Sequence, residues 1–346
     1  MPSHMAKEIA AQPEVLRHLF QAERENAGRI AAWVRKFQPS FAFMVARGSS
    51  DNAALYGKYL FGALNRIPVA LAAPSLFTLF RTPPVLSRAL VIAISQSGQS
   101  PDLLEVAENA RAQGAVTVAV TNDPASPLAK LCSWVIPLHA GTERSVAATK
   151  SYTAQLMALA MLSACLAERE ELLRELEQLP DQVRLAMQAE EAARAAAERM
   201  VGANRCVVIG RGFDYATAQE IALKLKELAS LAAEPYSAAD FMHGPLAMVE
   251  PGFPAILVAP GGTTFGDMSR LAQRLKEFGV EVFAISNRRS LLEQSAVPIP
   301  LGGSVEEWLH PFITVIPGQL MALHLALAKG LDPDRPRRLS KVTRTR

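Results

Sequence analysis

The chain has 346 residues, half of them hydrophobic, with 36 basic against 33 acidic side chains. That length allows about two domains with substantial cores, and so even a charge balance, with no basic aromatic-laced segment, argues against nucleic acid as the main partner. No uninterrupted apolar run approaches the ~18–20 residues of a membrane span, and the N-terminus, with His4, Lys7, Glu8 and Glu14, has no signal-peptide core. The expectation is a soluble cytoplasmic enzyme or binding protein that does not act on a membrane. Cys132, Cys165 and Cys206 are widely spaced in apolar surroundings and read as small core residues, neither a disulfide framework nor a metal site.

Residues 8–36 carry Ile9, Val15, Leu16, Leu19, Phe20, Ile30 and Trp33 at helical spacing, with a break or first turn at Pro13. A buried strand, FAFMVA at 41–46, ends in Arg47, Gly48, Ser49 and Ser50, and Asp51 opens a helix that runs to Leu64. A short strand follows at 69–72. The apolar run Leu90–Ile94 is too short for a helix and reads as a parallel strand buried on both faces. It stops in Ser95, Gln96, Ser97, Gly98, Gln99 and Ser100; Pro101 then takes the first position of a helix, with Ser100 as N-cap. Further strands are expected at 116–121 and 134–138. The segment 140–150, AGTERSVAATK, leads into an apolar helix over 152–166, and residues 168–200, rich in Ala, Glu and Arg, read as a helical connector. Strands alternating with helices imply a parallel, doubly wound α/β sheet whose ligands bind at the carboxyl ends of the strands.

A strand that ends in hydroxyls at the mouth of a helix offers N–H groups and a positive dipole end to an anion. The loop at 95–100 has no Lys, unlike a nucleotide-binding P-loop, which favours a single phosphate monoester over a triphosphate. A Ser/Gly-rich turn with a simple cap is the other reading; three serines and two glutamines within six positions exceed what capping requires.

The second half repeats the first. The stretch 207–212 matches 44–48, 255–262 matches 91–98 and 280–287 matches 116–122, while QLMAL stands at 155–159 and again at 319–323. SQSG in the first copy becomes Ala259-Pro260-Gly261-Gly262 in the second, so one phosphate site per chain is expected. A helix over 216–233 puts Glu220, Lys224 and Glu227 on one face, either as a solvated stripe or as acid–base groups. The polar loop expected at 236–245 holds His243, a candidate proton carrier.

Seven segments are similar to the sugar isomerase (SIS) domain pair: RGSS at 47–50, SQSGQSPD at 95–102, GTERSVAATKSYTAQL at 141–156, GRG at 210–212, ALKLKE at 222–227, HGPLA at 243–247 and RRLSKVT at 337–343. The chain most resembles the isomerase half of glucosamine-6-phosphate synthase and the stand-alone SIS-type glucosamine-6-phosphate deaminases. The resemblance implies two duplicated SIS domains, each with a flavodoxin-like sheet, at 39–167 and 201–330. They would be preceded by a helical segment at 1–38, joined by the connector at 168–200 and followed by a site-closing tail at 331–346. It implies that Ser49, Ser50, Ser95, Gln96, Ser97 and Ser100 cradle the sugar phosphate and that Val146 lines the sugar. Glu227 would move a proton between C1 and C2 with Lys224 beside it, and His243 would open the ring from the neighbouring subunit of a homodimer. Lys341 would form an imine with the open-chain sugar, although a basic tail would by itself make it a solvated charge; Ser340 stands where the synthase has alanine. No cofactor or metal is implied.

Departures from the synthase shape the expected reaction. Pro2 stands at the position of its glutaminase nucleophile, and residues 1–40 are too short for that domain, so deamination of glucosamine 6-phosphate to fructose 6-phosphate and ammonia is expected. Ala148 replaces a serine common in the synthase. The alternatives are a fructosamine-6-phosphate deglycase, an isomerase that takes ammonia from a separate protein, and, in another class, a non-catalytic sugar-phosphate sensor.

Overall fold

A computed structural model describes residues 2–341, so Val342 and Thr343, which end the RRLSKVT segment, lie outside the described residues. The chain divides into two compact units. The first holds residues 14–143 and 150–178 with Ser340 and Lys341; the second holds 2–13, 144–149 and 179–339.

In the first unit β1 (Phe41–Val45), β2 (Val69–Leu71), β3 (Ala89–Ile94), β4 (Val116–Thr121) and β5 (Trp134–Pro137) form one parallel sheet in the order β2-β1-β3-β4-β5. Every residue of β3 and β4 is buried, which is why these strands read as near-continuous apolar runs. The second unit repeats the arrangement with β6 (Arg205–Gly210), β7 (Ala232–Ser237), β8 (Pro254–Val258), β9 (Glu281–Ser286) and β10 (Val297–Pro300), ordered β7-β6-β8-β9-β10. In each sheet the chain changes direction of winding between its first and third strands, and the crevice beyond their carboxyl ends is where such sheets bind ligands.

Each unit has a helix buried on nearly all sides, Lys150–Ala167 in the first and His310–Ala328 in the second. The stretch Glu307–Ala328 is long and apolar enough to cross a membrane, but 83% of its apolar window is buried inside the structure. It packs against the Asp214–Ala229 helix, and Gly318 sets that approach: a Cβ there would lie 2.3 Å from Ile221 Cγ1.

Three expected boundaries are corrected. The 8–36 helix is two helices, His4–Ala10 and Gln12–Phe37, meeting around Ala11. The 216–233 helix spans Asp214–Ala229 and ends in left-handed Ser230, because residues 232–237 pair with β6 along its whole length. The expected loop at 236–245 is the end of β7 followed by a short helix, Ala238–Met242. Between the two sheets in sequence, residues 168–200 hold the helices Glu170–Ala186, with Pro180 inside it, and Glu190–Arg199.

Candidate functional site

In the first unit the crevice is built on the hydroxyl loop that follows β3. Gly98 N–H donates to Ser95 Oγ at 3.1 Å and Gln99 N–H to Ser97 Oγ at 3.4 Å. A serine oxygen that accepts in this way keeps its own proton to donate outward. The loop is fastened to the segment after β4, where Asn122 N–H bonds Gln96 O and Leu128 N–H bonds Gly98 O. Gly98 has φ +61°, and a Cβ there would lie 2.2 Å from Ser126 Oγ, so only glycine fits. Ser95 is buried, whereas Gln96, Ser97 and Ser100 are half-buried. Ser100 does occupy the N-cap before Pro101, but its side chain makes no capping bond, so its hydroxyl is not used up by the helix.

The neighbouring strand end adds Ser49 and Ser50, the first residues of the Ser49–Asn65 helix. Ser50 is buried and accepts from Gln155 Nε2 at 2.9 Å. Arg47 Nε donates to the fully buried Asp102 Oδ2 at 2.7 Å, tying the end of β1 to the start of the Pro101–Ala112 helix.

Lys341 is not a solvated tail charge. Its Nζ lies 2.7 Å from Oε2 of Glu143, a fully buried carboxylate that also accepts from Ser151 Oγ at 2.7 Å and Ser151 N–H at 3.1 Å. Burial alone would raise the Glu143 pKa, but the Lys341 charge and the bonds from Lys341 and Ser151 outweigh it and hold it below the usual carboxylate value. Ser340, beside Lys341, is exposed.

In the second unit Lys224 sits fully buried between two carboxylates of its own helix. Its Nζ is 2.6 Å from Glu227 Oε2 and 3.4 Å from Glu220 Oε1. Burial would depress the ammonium, but the two carboxylates more than offset this, so its pKa stands above the usual lysine value. Glu220 is buried as well, which removes the reading of a solvated stripe. The Glu227 side chain keeps 23% exposure and opens on a cavity of about 170 Å³ that Ser230, Leu331, Asp332, Arg335 and Arg337 also line. A carboxylate fixed by a charged lysine and open on one side can take and return a proton. His243 is exposed at the end of the Ala238–Met242 helix, and Val146 is half-buried in a segment whose Arg144 and Ser145 N–H groups bond the Glu8 carboxylate.

One participant is absent from the sequence-based set, Glu143, although its signal was present in the GTERS segment; Glu220, read with Lys224 and Glu227 as one face, is the second carboxylate on the buried lysine. Among the described residues no group of three or more His, Cys, Asp or Glu side chains is placed to hold a metal ion.

The SIS domain family matches residues 38–164 and 199–329. The chain is 37% identical over 350 residues to the glutamine–fructose-6-phosphate aminotransferase (isomerizing) of Thermococcus kodakarensis, covering 98% of this chain and 58% of that protein. It thus spans little more than half the length of the curated relatives it matches. A crystal structure described as a candidate phosphosugar isomerase, from Silicibacter pomeroyi, is similar with TM-score 0.89 and 35% identity over 96% of this chain and 100% of that one. The C-terminal domain of glucosamine-fructose-6-phosphate aminotransferase from Francisella tularensis gives TM-score 0.88 and 27% identity, covering 97% and 99%.

Proposed function

The chain belongs to the SIS-domain family, and from that premise we propose that it isomerises and deaminates an amino-sugar phosphate, converting glucosamine 6-phosphate to fructose 6-phosphate and ammonia as a homodimer. The observation that carries this reading is the buried Lys224 bonded to Glu227 at 2.6 Å, which holds one half-open carboxylate in place. The hydroxyls of Ser95, Ser97 and Ser100, with Ser49, Ser50 and Gln96 around them, hold the phosphate, and binding energy from that remote end orients C1 and C2. His243, from the neighbouring copy, passes the ring oxygen its proton. Glu227 takes the proton from C2, leaving an enolamine, and returns it to C1. Water then adds to C2 of the ketose imine and ammonia leaves. Lys341, released from Glu143, can exchange with the imine nitrogen as an intermediate carrier, and Val146 and Ser340 border the sugar.

A second reading runs the same chemistry the other way, with ammonia supplied by another protein. It is favoured by the 37% identity to a relative named as an aminotransferase, of which this chain matches 58%.

Incubation of the purified protein with glucosamine 6-phosphate, assaying ammonia and fructose 6-phosphate, tests the proposal. Release of both is expected. Saturable binding without release would make the protein a sensor, release only from a lysine conjugate of fructose 6-phosphate a deglycase, and synthesis only from fructose 6-phosphate plus ammonia would establish the second reading. Glu227→Gln should lower turnover by about 10²–10⁴-fold while affinity for the sugar phosphate stays near that of the parent; unchanged turnover removes Glu227 from the mechanism.

A further inference from the structure

The two QLMAL segments are offset by 164 residues, and at that offset the Pro101–Ala112 helix falls on Phe265–Glu277 and the short Ser75–Thr78 helix on Ala238–Met242. Phe77 and its counterpart Phe241 are both buried. The faces of the longer helices differ. In the first unit Val106, Ala107 and Ala110 are buried in one core cluster with Phe77 and Leu86. Their counterparts are Arg270, Leu271 and Arg274, and the counterpart of Leu86 is Glu250, an exposed residue paired with Arg205 at 2.7 Å. Where the first unit packs this face into its core, the second opens a cavity of about 450 Å³.

The cavity lies wholly within the second unit. Arg211 reaches it from beyond the end of β6, and Arg270 and Arg274 from the Phe265–Glu277 helix, with Asp267 as the one carboxylate of the lining. Asp267 pairs with Arg211 Nε at 3.0 Å and with Arg270, while Arg274 lies over the Phe278 ring, 5.9 Å from its centre. Guanidinium groups stay charged throughout the ordinary pH range, so the lining carries a surplus of two positive charges. Arg270 and Arg274 also stand one turn apart, where like charges repel. The first unit shows that this face packs with Val106 and Ala110, so the two arginines answer a need other than packing. Ala238, Met242 and Leu271 complete the wall with apolar side chains.

We propose that this cavity is a binding site for a doubly charged anion on an apolar body, as in an aryl or alkyl phosphate. The planar guanidinium forks take phosphate oxygens in pairs, and the two charges of a phosphate monoester match the surplus of the lining. The carbon body lies along Ala238, Met242 and Leu271. A sugar phosphate does not fit this lining, because its hydroxyls would give up water against side chains that cannot bond them.

Phenyl phosphate is the probe, followed by calorimetric titration of the full chain. The parent should bind it saturably and more tightly than inorganic phosphate, and glucosamine 6-phosphate should not displace it. Arg270→Gln and Arg274→Gln should each weaken binding by about 10-fold or more, and the double variant should show none. Arg270→Lys with Arg274→Lys keeps the charge but not the fork, so its affinity should fall between parent and double variant; this pair decides the matter if the glutamine pair does not fold. Ser97→Ala should bind phenyl phosphate as the parent does. Absence of binding by the parent overturns the inference, as does parent affinity in the arginine variants, a loss confined to Ser97→Ala, or displacement by glucosamine 6-phosphate. A parent that binds no glucosamine 6-phosphate would count against the proposed function and leave the phenyl phosphate titration as it stands.

Discussion

The two units share a scaffold and differ in the side chains they carry on it. Both order their strands alike, and both tie the end of their first strand to a helix start through an arginine–aspartate pair, Arg47 with Asp102 at 2.7 Å and Arg211 with Asp267 at 3.0 Å. Their helices carry opposite contents at equivalent positions. Glu220 and Lys224 of the second unit correspond to Tyr56 and Leu60 of the first, which are buried apolar packing. The glutamates at the shared position have separate tasks as well: Glu143 holds Lys341, whereas Glu307 holds the second loop. Strand order and helix packing constrain the backbone of both copies, while side chains at the strand ends are free to diverge, so one copy keeps the hydroxyls and the other acquires the buried charges.

The largest effect should come from breaking the buried charge cluster. Lys224→Met leaves Glu220 buried without its cation, and such a loss costs about 3–5 kcal/mol. Leu60→Ala at the equivalent position of the first unit costs about 2–5 kcal/mol through a cavity instead. Urea denaturation separates the two, because restoring neutrality with Glu220→Gln in the Lys224→Met background should recover stability. A lack of recovery would mean that the cluster is held by packing and not by charge.

The glycines of the paired loops come next. Gly98→Ala meets Ser126 at 2.2 Å in a left-handed backbone, which should cost about 2–3 kcal/mol and weaken sugar-phosphate binding. Gly262→Ala also meets a positive φ, +148°, but its only close contact is the end of the Glu307 side chain, which can turn aside; it should cost about 1–3 kcal/mol without touching that binding. Equal losses of affinity in both would erase the distinction between the loops.

Acid sharpens the comparison through one buried carboxylate in each unit. Glu143 has its pKa held below the ordinary 4.5. Between that lower value and 4.5 the unfolded chain binds more protons, so stability from Glu143 is full above 4.5 and is lost as pH falls through the folded value. Asp214, fully buried and accepting from Thr314 Oγ1 at 2.8 Å, goes the other way. Burial raises its pKa above 3.8 against the His310 and Thr314 contacts that lower it, so its contribution falls as pH rises from 3.8 towards the folded value. A tenfold difference in proton affinity between the folded and unfolded chain is worth about 1.4 kcal/mol at either carboxyl. Denaturation followed across acid pH should show a shallower rise in Glu143→Gln and a shallower fall in Asp214→Asn; parallel curves would refute the opposite signs.

Much of this division was legible in the residues. Apolar β-branched runs punctuated by Gly, Ser and Pro gave the alternation of strand and helix, and the repeated QLMAL gave the duplication. The strand Ala232–Ser237 was not legible, because Ala232, Ala233 and Glu234 are poor strand formers and only pairing with β6 makes them one. Within the site the hydroxyl loop and the Glu220–Lys224–Glu227 spacing are local patterns and could be read. The Lys341–Glu143 pair joins residues 198 apart and the Thr263–Glu307 bond joins residues 44 apart. No local pattern encodes contacts of that range; the register of the repeat aligns the two glutamates once the offset is applied, but not the partner that each one holds.

The smallest effect is the most specific to the first loop. Ser97 Oγ accepts only a long bond, 3.4 Å, from the exposed Gln99 N–H, so Ser97→Ala should change stability by less than about 0.5 kcal/mol. A phosphate bound to the loop would lose one charge-assisted donor, and affinity for glucosamine 6-phosphate should fall by about 1–2 kcal/mol, roughly 5–30-fold. Gly261→Ala is the matched change in the second unit, where the added methyl meets the flexible Arg288 side chain at 2.9 Å, and sugar-phosphate affinity should stay at the parent value. Titration of both variants decides whether sugar-phosphate recognition resides in one copy: a loss confined to Ser97→Ala keeps it in the first, whereas equal affinity in all three proteins would mean that the hydroxyl row is a turn and nothing more.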